Sequence, residues 1–122
     1  MTGQDTAPRL RLRILFGDEA MLGPGKADLL QRIGETGSIA AAGRQMKMSY
    51  KRAWNLVEEM NAAFRAPLVE SSRGGTRGGG ARLTETGARV LDHYRRLEAA
   101  AASAGAGEVA ALQAMLARSD ES

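Results

Sequence analysis

Gly37–Phe64 reads GSIAAAGRQMKMSYKRAWNLVEEMNAAF. Two helical patterns lie in this stretch, separated by a tight turn. Ser38 stands where a hydroxyl accepts from the orphan N–H groups of a first helical turn, and Ile39, Ala42 and Met46 follow as an inner stripe. Ala40, Ala41 and Gly43 are small enough to let a crossing helix approach closely. The turn is Lys47-Met48. Such turns favour glycine at the left-handed position, so a lysine there costs about 1 kcal/mol. Ser49 caps the second helix, whose core stripe is Ala53, Leu56, Val57, Met60 and Phe64. Pro67 forbids continuation and pushes Ala66 towards extended geometry. Two capped helices joined in this way predict a helix-turn-helix, with the second helix as the one that enters a DNA major groove.

The first turn of that second helix breaks a local rule. Lys51 and Arg52 put two cations at the positive end of a helix dipole, at a cost of about 0.3–1 kcal/mol each when exposed. A DNA phosphate at the same helix end reverses the penalty, and lysine or arginine also reaches guanine O6 and N7. At about 100° per residue, Tyr50, Lys51, Arg52, Trp54, Asn55 and Glu58 fall largely outside the core stripe. The bland alternative is a solvated helix face. Trp54 is ambiguous, since its indole fits the flank of the core or a phosphate.

Downstream, Leu68–Ser72 and Ala81–Leu83 are short strand candidates flanking RGGTRGGG, Arg73 to Gly80. The glycines do not follow G-x-G-x-x-G spacing, so a dinucleotide-binding turn is rejected. Placed after a recognition helix and between two strands, the segment reads as a wing. Its glycines let backbone approach sugar-phosphate closely, and Arg73 and Arg77 supply charge or probe the minor groove. The alternative is a plain hairpin or a generic anion nest. Thr84 then caps a long helix with Val90, Leu91, Tyr94 and Leu97 in helical register. Beyond the break at Gly105 and Gly107, Val109, Leu112, Met115 and Leu116 form a second amphipathic stripe.

Upstream, Lys26–Glu35 is helical in pattern, with Ala27, Leu29, Leu30 and Ile33 as its apolar stripe. Arg9–Phe16, RLRLRILF, alternates strictly and predicts a half-buried strand with Leu10, Leu12, Ile14 and Phe16 on one face. That strand is either a solvated edge or an arm that pairs with a partner strand or chain. GDEAMLGPGK reads as a loop. Its Gly25-Lys26 resembles the end of a phosphate-binding loop, but Ala20 and Ala27 occupy the positions that need glycine and Ser/Thr. Residues 1–8 carry no pattern and are expected to be disordered.

Composition bounds the rest. One domain of residues 9–102 with a helical tail, 103–122, fits 122 residues. Aromatic residues make up only 4% of the chain, so the core must be aliphatic and Ala-rich. Zero cysteines exclude disulfides and thiolate metal sites. No apolar run approaches the roughly 20 residues that span a bilayer, and arginines interrupt any signal-peptide core, so a cytoplasmic, nucleoid-associated protein is expected. The net charge of +3 is unevenly placed: residues 38–82 hold eight basic residues against three acidic. His93 is the only histidine, and no nucleophile–base pair or metal-ligand spacing appears; no enzyme, metal or cofactor is expected.

The order strand, GPGK-led helix, GSIAAAGRQMKMSYKRAW, then GG-x-x-GGG-x-x-LT-x-x-G, over roughly Leu10 to Leu97, resembles the N-terminal domain of ModE-type molybdate-responsive regulators. LysR-type regulators share GS-x-x-x-AA and LT-x-x-G without the leading strand and glycine-rich wing, and come second. The resemblance implies an α+β winged helix-turn-helix, with an N-terminal strand, a β-hairpin wing and a long C-terminal dimerisation helix, acting as a homodimer on double-stranded DNA. It carries the recognition role onto Ser49, Tyr50, Lys51, Arg52 and Asn55, and the wing role onto Arg73, Thr76 and Arg77. Ser38, Arg44, Lys47, Trp54 and Arg82 are the candidate phosphate contacts. Family members with an effector domain hold molybdate in small β-barrels, and no strand-rich stretch follows Thr84. The expectation is a regulator without molybdate-binding domains, sensing through a separate partner if at all. The rival readings are a winged-helix protein-interaction adaptor, a LysR-like DNA-binding fragment and a molybdate-binding or storage protein.

Overall fold

Caps and breakers set the element boundaries. The computed structural model of the protein describes residues 7–72 and 80–117. Strands β1 (Ile14–Phe16) and β2 (Ala20–Leu22) form an antiparallel hairpin, with Ile14 opposite Leu22 and Phe16 opposite Ala20. Helix α1 (Pro24–Thr36) opens with proline in its first turn, where a missing N–H costs nothing, and closes at Gly37 in the left-handed region. Helix α2 (Ile39–Gln45) is capped by Ser38, whose hydroxyl accepts from the Ala41 N–H at 3.0 Å. Helix α3 (Tyr50–Ala63) is capped by Ser49, whose hydroxyl accepts from the Arg52 N–H at 3.1 Å.

Strands β3 (Val69–Ser72) and β4 (Gly80–Leu83) pair antiparallel, Val69 opposite Leu83 and Ser72 opposite Gly80. Helix α4 (Glu85–Ala104) follows Thr84, and α5 (Ala106–Ala114) follows Gly105. Helix α4 thus runs to Ala104, two residues into the stretch from 103 that was read as the tail.

Helix α1 is the centre of the packing: it touches α2, α3, α4 and β4. Its Leu29, Leu30 and Ile33 join Ala42 from α2, Ala53, Val57 and Met60 from α3, and Leu68, Val69 and Ala81 from the base of the β3–β4 hairpin, all buried. The aliphatic core expected from the low aromatic content is what forms. A smaller cluster of Leu22, Ala27 and Tyr94 fastens the β1–β2 hairpin to α1 and α4. There the Tyr94 hydroxyl donates to the Leu12 carbonyl at 2.6 Å.

Two glycines are set by close approach. A β-carbon on Gly43 would sit 3.1 Å from that of Ala53, so α2 and α3 cross nearly in backbone contact. At Gly87 a β-carbon would collide with the Leu68 carbonyl. This gives the Leu-Thr-x-x-Gly pattern at positions 83–87 its physical reason. Thr84 donates through its hydroxyl to the Pro67 carbonyl at 2.7 Å and through its N–H to the Leu68 carbonyl at 2.9 Å, and it accepts from the Gly87 N–H at 2.9 Å. The start of α4 is thereby clamped onto residues 67 and 68.

The leading strand differs from expectation. Only Ile14–Phe16 is extended in a ladder, not the whole of Arg9–Phe16, and its partner β2 lies inside the segment read as loop. Leu12 and Ile14 are half-buried while Arg11 and Arg13 are exposed, so the alternation does describe the inner part. It fails at the ends: Leu10 is 38% and Phe16 46% exposed, the latter with its ring edge-on to Phe64 at 6.3 Å. In α4, Leu97 at 41% exposure lies outside the core that Val90, Leu91 and Tyr94 enter. Residues 1–6, most of the stretch expected to be disordered, lie outside the described residues.

Candidate nucleic-acid interface

The end of α2, the turn and the start of α3 form one exposed corner. Arg44, Lys47, Tyr50, Lys51, Arg52, Trp54 and Asn55 are all solvent-exposed there. The turn is a Schellman closure. The Lys47 N–H donates to the Arg44 carbonyl at 3.0 Å, and the Met48 N–H donates to the Gly43 carbonyl at 2.9 Å. Lys47 takes the left-handed position with φ 61°, the only non-glycine with positive φ among the described residues. The lysine expected to be strained at this turn is so placed.

Along α3, Lys51, Asn55 and Glu58 line the face opposite the buried Ala53, Val57 and Met60. Arg52 and Glu59 flank it on one side, and Tyr50 and Trp54 on the other. Ser49, Lys51, Arg52, Asn55, Leu56 and Glu59 line a shallow recess on this surface. Trp54 is 43% exposed, so its indole is neither core nor free.

The charges divide into two groups. Four cations of the scaffold are paired: Lys26 with Glu59 at 3.2 Å, Arg82 with Glu70 at 2.8 Å, Arg95 with Asp28 at 2.9 Å and Glu98 at 3.1 Å, and Arg96 with Asp92 at 2.7 Å. Arg32 bonds Gln45 at 3.0 Å. Among the described residues, Arg9, Arg11, Arg13, Arg65 and Arg89 are spread over the surface without an ion pair, and Arg44, Lys47, Lys51 and Arg52, also without one, are gathered at this corner. No acidic residue stands in the first turn of α3, whereas Glu85 and Glu108 stand in the first turns of α4 and α5. This corner therefore presents uncompensated positive charge at a helix N-terminus, the arrangement that receives phosphate.

The other candidates sort differently. Ser38 is spent as the cap of α2 on its acceptor side. Arg82 lies on the β3–β4 hairpin with its guanidinium held by Glu70 through two N–H groups, so its charge is offset within the strand pair. Arg73, Thr76 and Arg77 lie outside the described residues; the two strands that lead into that segment are paired as a wing requires.

One residue that the sequence reading passed over stands out. Asn61, half-buried on the flank of α3, accepts at Oδ1 from the Leu68 N–H at 2.8 Å and the Val69 N–H at 3.1 Å, and donates through Nδ2 to the Val69 carbonyl at 3.1 Å. No local pattern in the sequence singles it out, since an amide on the flank of a helix end is ordinary surface until β3 folds against it.

A three-helix core, a β-hairpin after the third helix and a cationic third-helix N-terminus define a winged helix-turn-helix DNA-binding domain. The family model described as the bacterial regulatory helix-turn-helix proteins of the lysR family matches residues 26–88, and the chain belongs to that family. The matched span runs from α1 into α4 and leaves out the leading hairpin.

Among curated proteins the chain is similar to ModE-type regulators, as its motifs implied. It is 45% identical over 100 residues to the molybdenum-pterin-binding protein MopB of Rhodobacter capsulatus, covering 82% of this chain and 37% of MopB. It is 39% identical over 87 residues to the transcriptional regulator ModE of Haemophilus influenzae, covering 71% and 34%. The DNA-binding transcriptional dual regulator ModE of Escherichia coli is 41% identical over 80 residues, covering 66% and 29%. The chain thus spans well under half the length of these relatives. Among solved structures, the CbnR DBD–DNA complex superposes with a TM-score of 0.57 at 24% identity, over 72% of this chain and 95% of that one. ZitR of Lactococcus lactis gives 0.55 at 18% identity, over 86% and 70%. Both share the fold. Among the described residues, no helix is long and apolar enough to cross a membrane.

Proposed function

We propose that the protein is a cytoplasmic transcription regulator that binds a two-fold-related duplex DNA site as a homodimer. Helix α3 of each protomer enters the major groove, the two helices about 34 Å apart on one face of the duplex. Lys51, Arg52 and Asn55 read base edges. Tyr50, Ser49, Arg44, Lys47 and Trp54 hold the backbone, and Arg73, Thr76 and Arg77 of the wing reach the neighbouring groove. The observation that supports this reading is the gathering of Arg44, Lys47, Lys51 and Arg52, none in an ion pair, at one exposed corner that includes a helix N-terminus.

The dimer surface is the apolar face left open by α4 and α5, where Leu97, Leu112, Met115 and Leu116 are 41%, 65%, 80% and 63% exposed. The names of the relatives support genes of molybdenum uptake and use as the regulated set, with the signal delivered through a separate effector-sensing protein.

The test is duplex binding measured against salt. Neutralised phosphates make affinity fall steeply as salt rises, with a slope of about −0.9 per contact. Lys51→Ala with Arg52→Ala removes preference for the selected site while leaving weak general binding. A protein that binds no duplex, or binds with no salt dependence, overturns the reading.

A further inference from the structure

The chain passes directly from α3 into the β3–β4 hairpin through Leu68, while β4 is held separately, the Ala81 N–H donating to the Gly37 carbonyl at 2.9 Å. Leu68, fully buried, is held from both sides: α4 grips its carbonyl through the Thr84 N–H and packs Gly87 against it, while α3 grips its N–H through Asn61. Asn61 also takes both polar backbone groups of Val69, the first residue of β3. One carboxamide thus closes three hydrogen bonds on two consecutive residues, as a neighbouring strand would. These are the side-chain hydrogen bonds that tie β3 directly to α3, the helix that carries Lys51 and Asn55, whereas β4 is tied to the end of α1. The five residues from Phe64 to Leu68 connect α3 to β3, and Thr84 holds the same connection from the α4 side at the Pro67 and Leu68 carbonyls.

We propose that Asn61 is the positioning residue that couples the recognition helix to the wing, so that both engage one DNA site together. This rests on the DNA-binding reading above. Asn61 touches no DNA itself. It acts by holding β3 at one angle, so that the contacts of α3 and of the hairpin are made at a single spacing along the duplex. A wing at a fixed angle adds its contacts without an ordering cost, and a loose wing adds little.

The experiment uses the full 122-residue chain and a duplex chosen by selection from random sequences. Affinity is measured on that duplex and on one shortened to remove the flanks that the wings reach. Wild-type protein is expected to lose about tenfold in affinity on the shortened duplex, as phosphate contacts disappear. Asn61→Ala is expected to bind the short duplex within about twofold of wild type and to gain almost nothing from the flanks. Val57→Ala serves as the control: it destabilises α3 from the core and should keep the tenfold flank gain. If Asn61→Ala fails to fold, Asn61→Asp takes its place, since its carboxylate still accepts from the Leu68 and Val69 N–H groups. It loses the bond to the Val69 carbonyl and sets a carboxylate oxygen against that carbonyl oxygen, so it is expected to show a reduced flank gain.

A folded Asn61 variant that keeps the full flank gain overturns the proposal and leaves Asn61 a purely structural residue. So does a wild-type protein whose affinity ignores the flanks. If wild type binds no duplex at all, the DNA-binding reading itself fails, which is a separate result.

Discussion

Lys47→Gly separates what the turn needs from what DNA needs. At φ 61° in the left-handed position of the Schellman turn, Lys47 bears a steric cost of about 1–2 kcal/mol that glycine does not. Glycine returns about 0.5–1 kcal/mol of that as greater freedom of the unfolded chain. The net expectation is a variant more stable by roughly 0.5–1 kcal/mol, seen as a rise in Tm of about 2–6 °C in a domain of this size. The side chain is exposed and unpaired, so no native contact is lost to offset the gain. The same substitution deletes a cation at the α2–α3 corner. The slope of log affinity against log salt should flatten by about 0.9 per protomer. Thermal unfolding by circular dichroism and a salt titration of DNA binding read the two effects independently. An unchanged or lower Tm would refute the argument from the turn. An unchanged salt slope at wild-type affinity would show that Lys47 meets no phosphate.

Three further outcomes follow from the geometry. Gly87→Ala drives a methyl group into the Leu68 carbonyl and should cost about 1–3 kcal/mol in denaturant unfolding; an unchanged unfolding midpoint refutes the close approach. Asn55→Ala removes an outward-facing amide suited to adenine N6 and N7, and should reduce discrimination at one base pair by about 1–3 kcal/mol while other positions keep theirs; a uniform loss across all sequences contradicts the assignment. Tyr94 has its phenol raised above the ordinary value of about 10, chiefly by burial, with the Glu98 and Asp28 carboxylates adding to the shift and the Arg95 and Arg11 cations opposing it. The folded state therefore holds this proton more tightly than the unfolded chain. Its contribution is complete below pH 10 and is lost as pH climbs through the raised value. Tyr94→Phe should lose about 1 kcal/mol at neutral pH with the Leu12 bond and show a smaller decline in alkali; an identical alkaline profile refutes the role.

The helical part of this fold was legible because each boundary is written in a single residue. Ser38, Ser49 and Thr84 are caps whose hydroxyls do accept from the third residue on, while α3 stops at Ala63, short of the limit that Pro67 sets. The leading hairpin was less legible. Its strands have three residues each, too few for alternation to be counted, and the residues that alternate best, Arg9 to Arg13, lie outside the ladder. What orders Leu12 is one long-range bond from Tyr94, 82 positions away, which no local pattern encodes. Asn61 was hidden for a related reason. An amide late in a helix looks like solvated surface until the backbone it satisfies is folded against it.

The site was legible through a conflict rather than a motif. Helix α3 carries two cations in its first turn, where α4 and α5 each carry a glutamate. In the free protein each misplaced cation costs about 0.3–1 kcal/mol, a loss that the core stripe of Ala53, Val57 and Met60 absorbs. A phosphate at the same end changes the sign of the interaction for both side chains and for the orphan N–H groups of the helix. The energetic gain on binding is therefore larger than the contacts alone supply, because a repulsion stored in the free state is relieved as they form. Pairing Lys51 or Arg52 internally, as Lys26 and Arg95 are paired, would stabilise the fold and remove that gain. Glu58 and Glu59 stand further along α3, so its first turn is left to Lys51 and Arg52, as the proposed contact with phosphate requires.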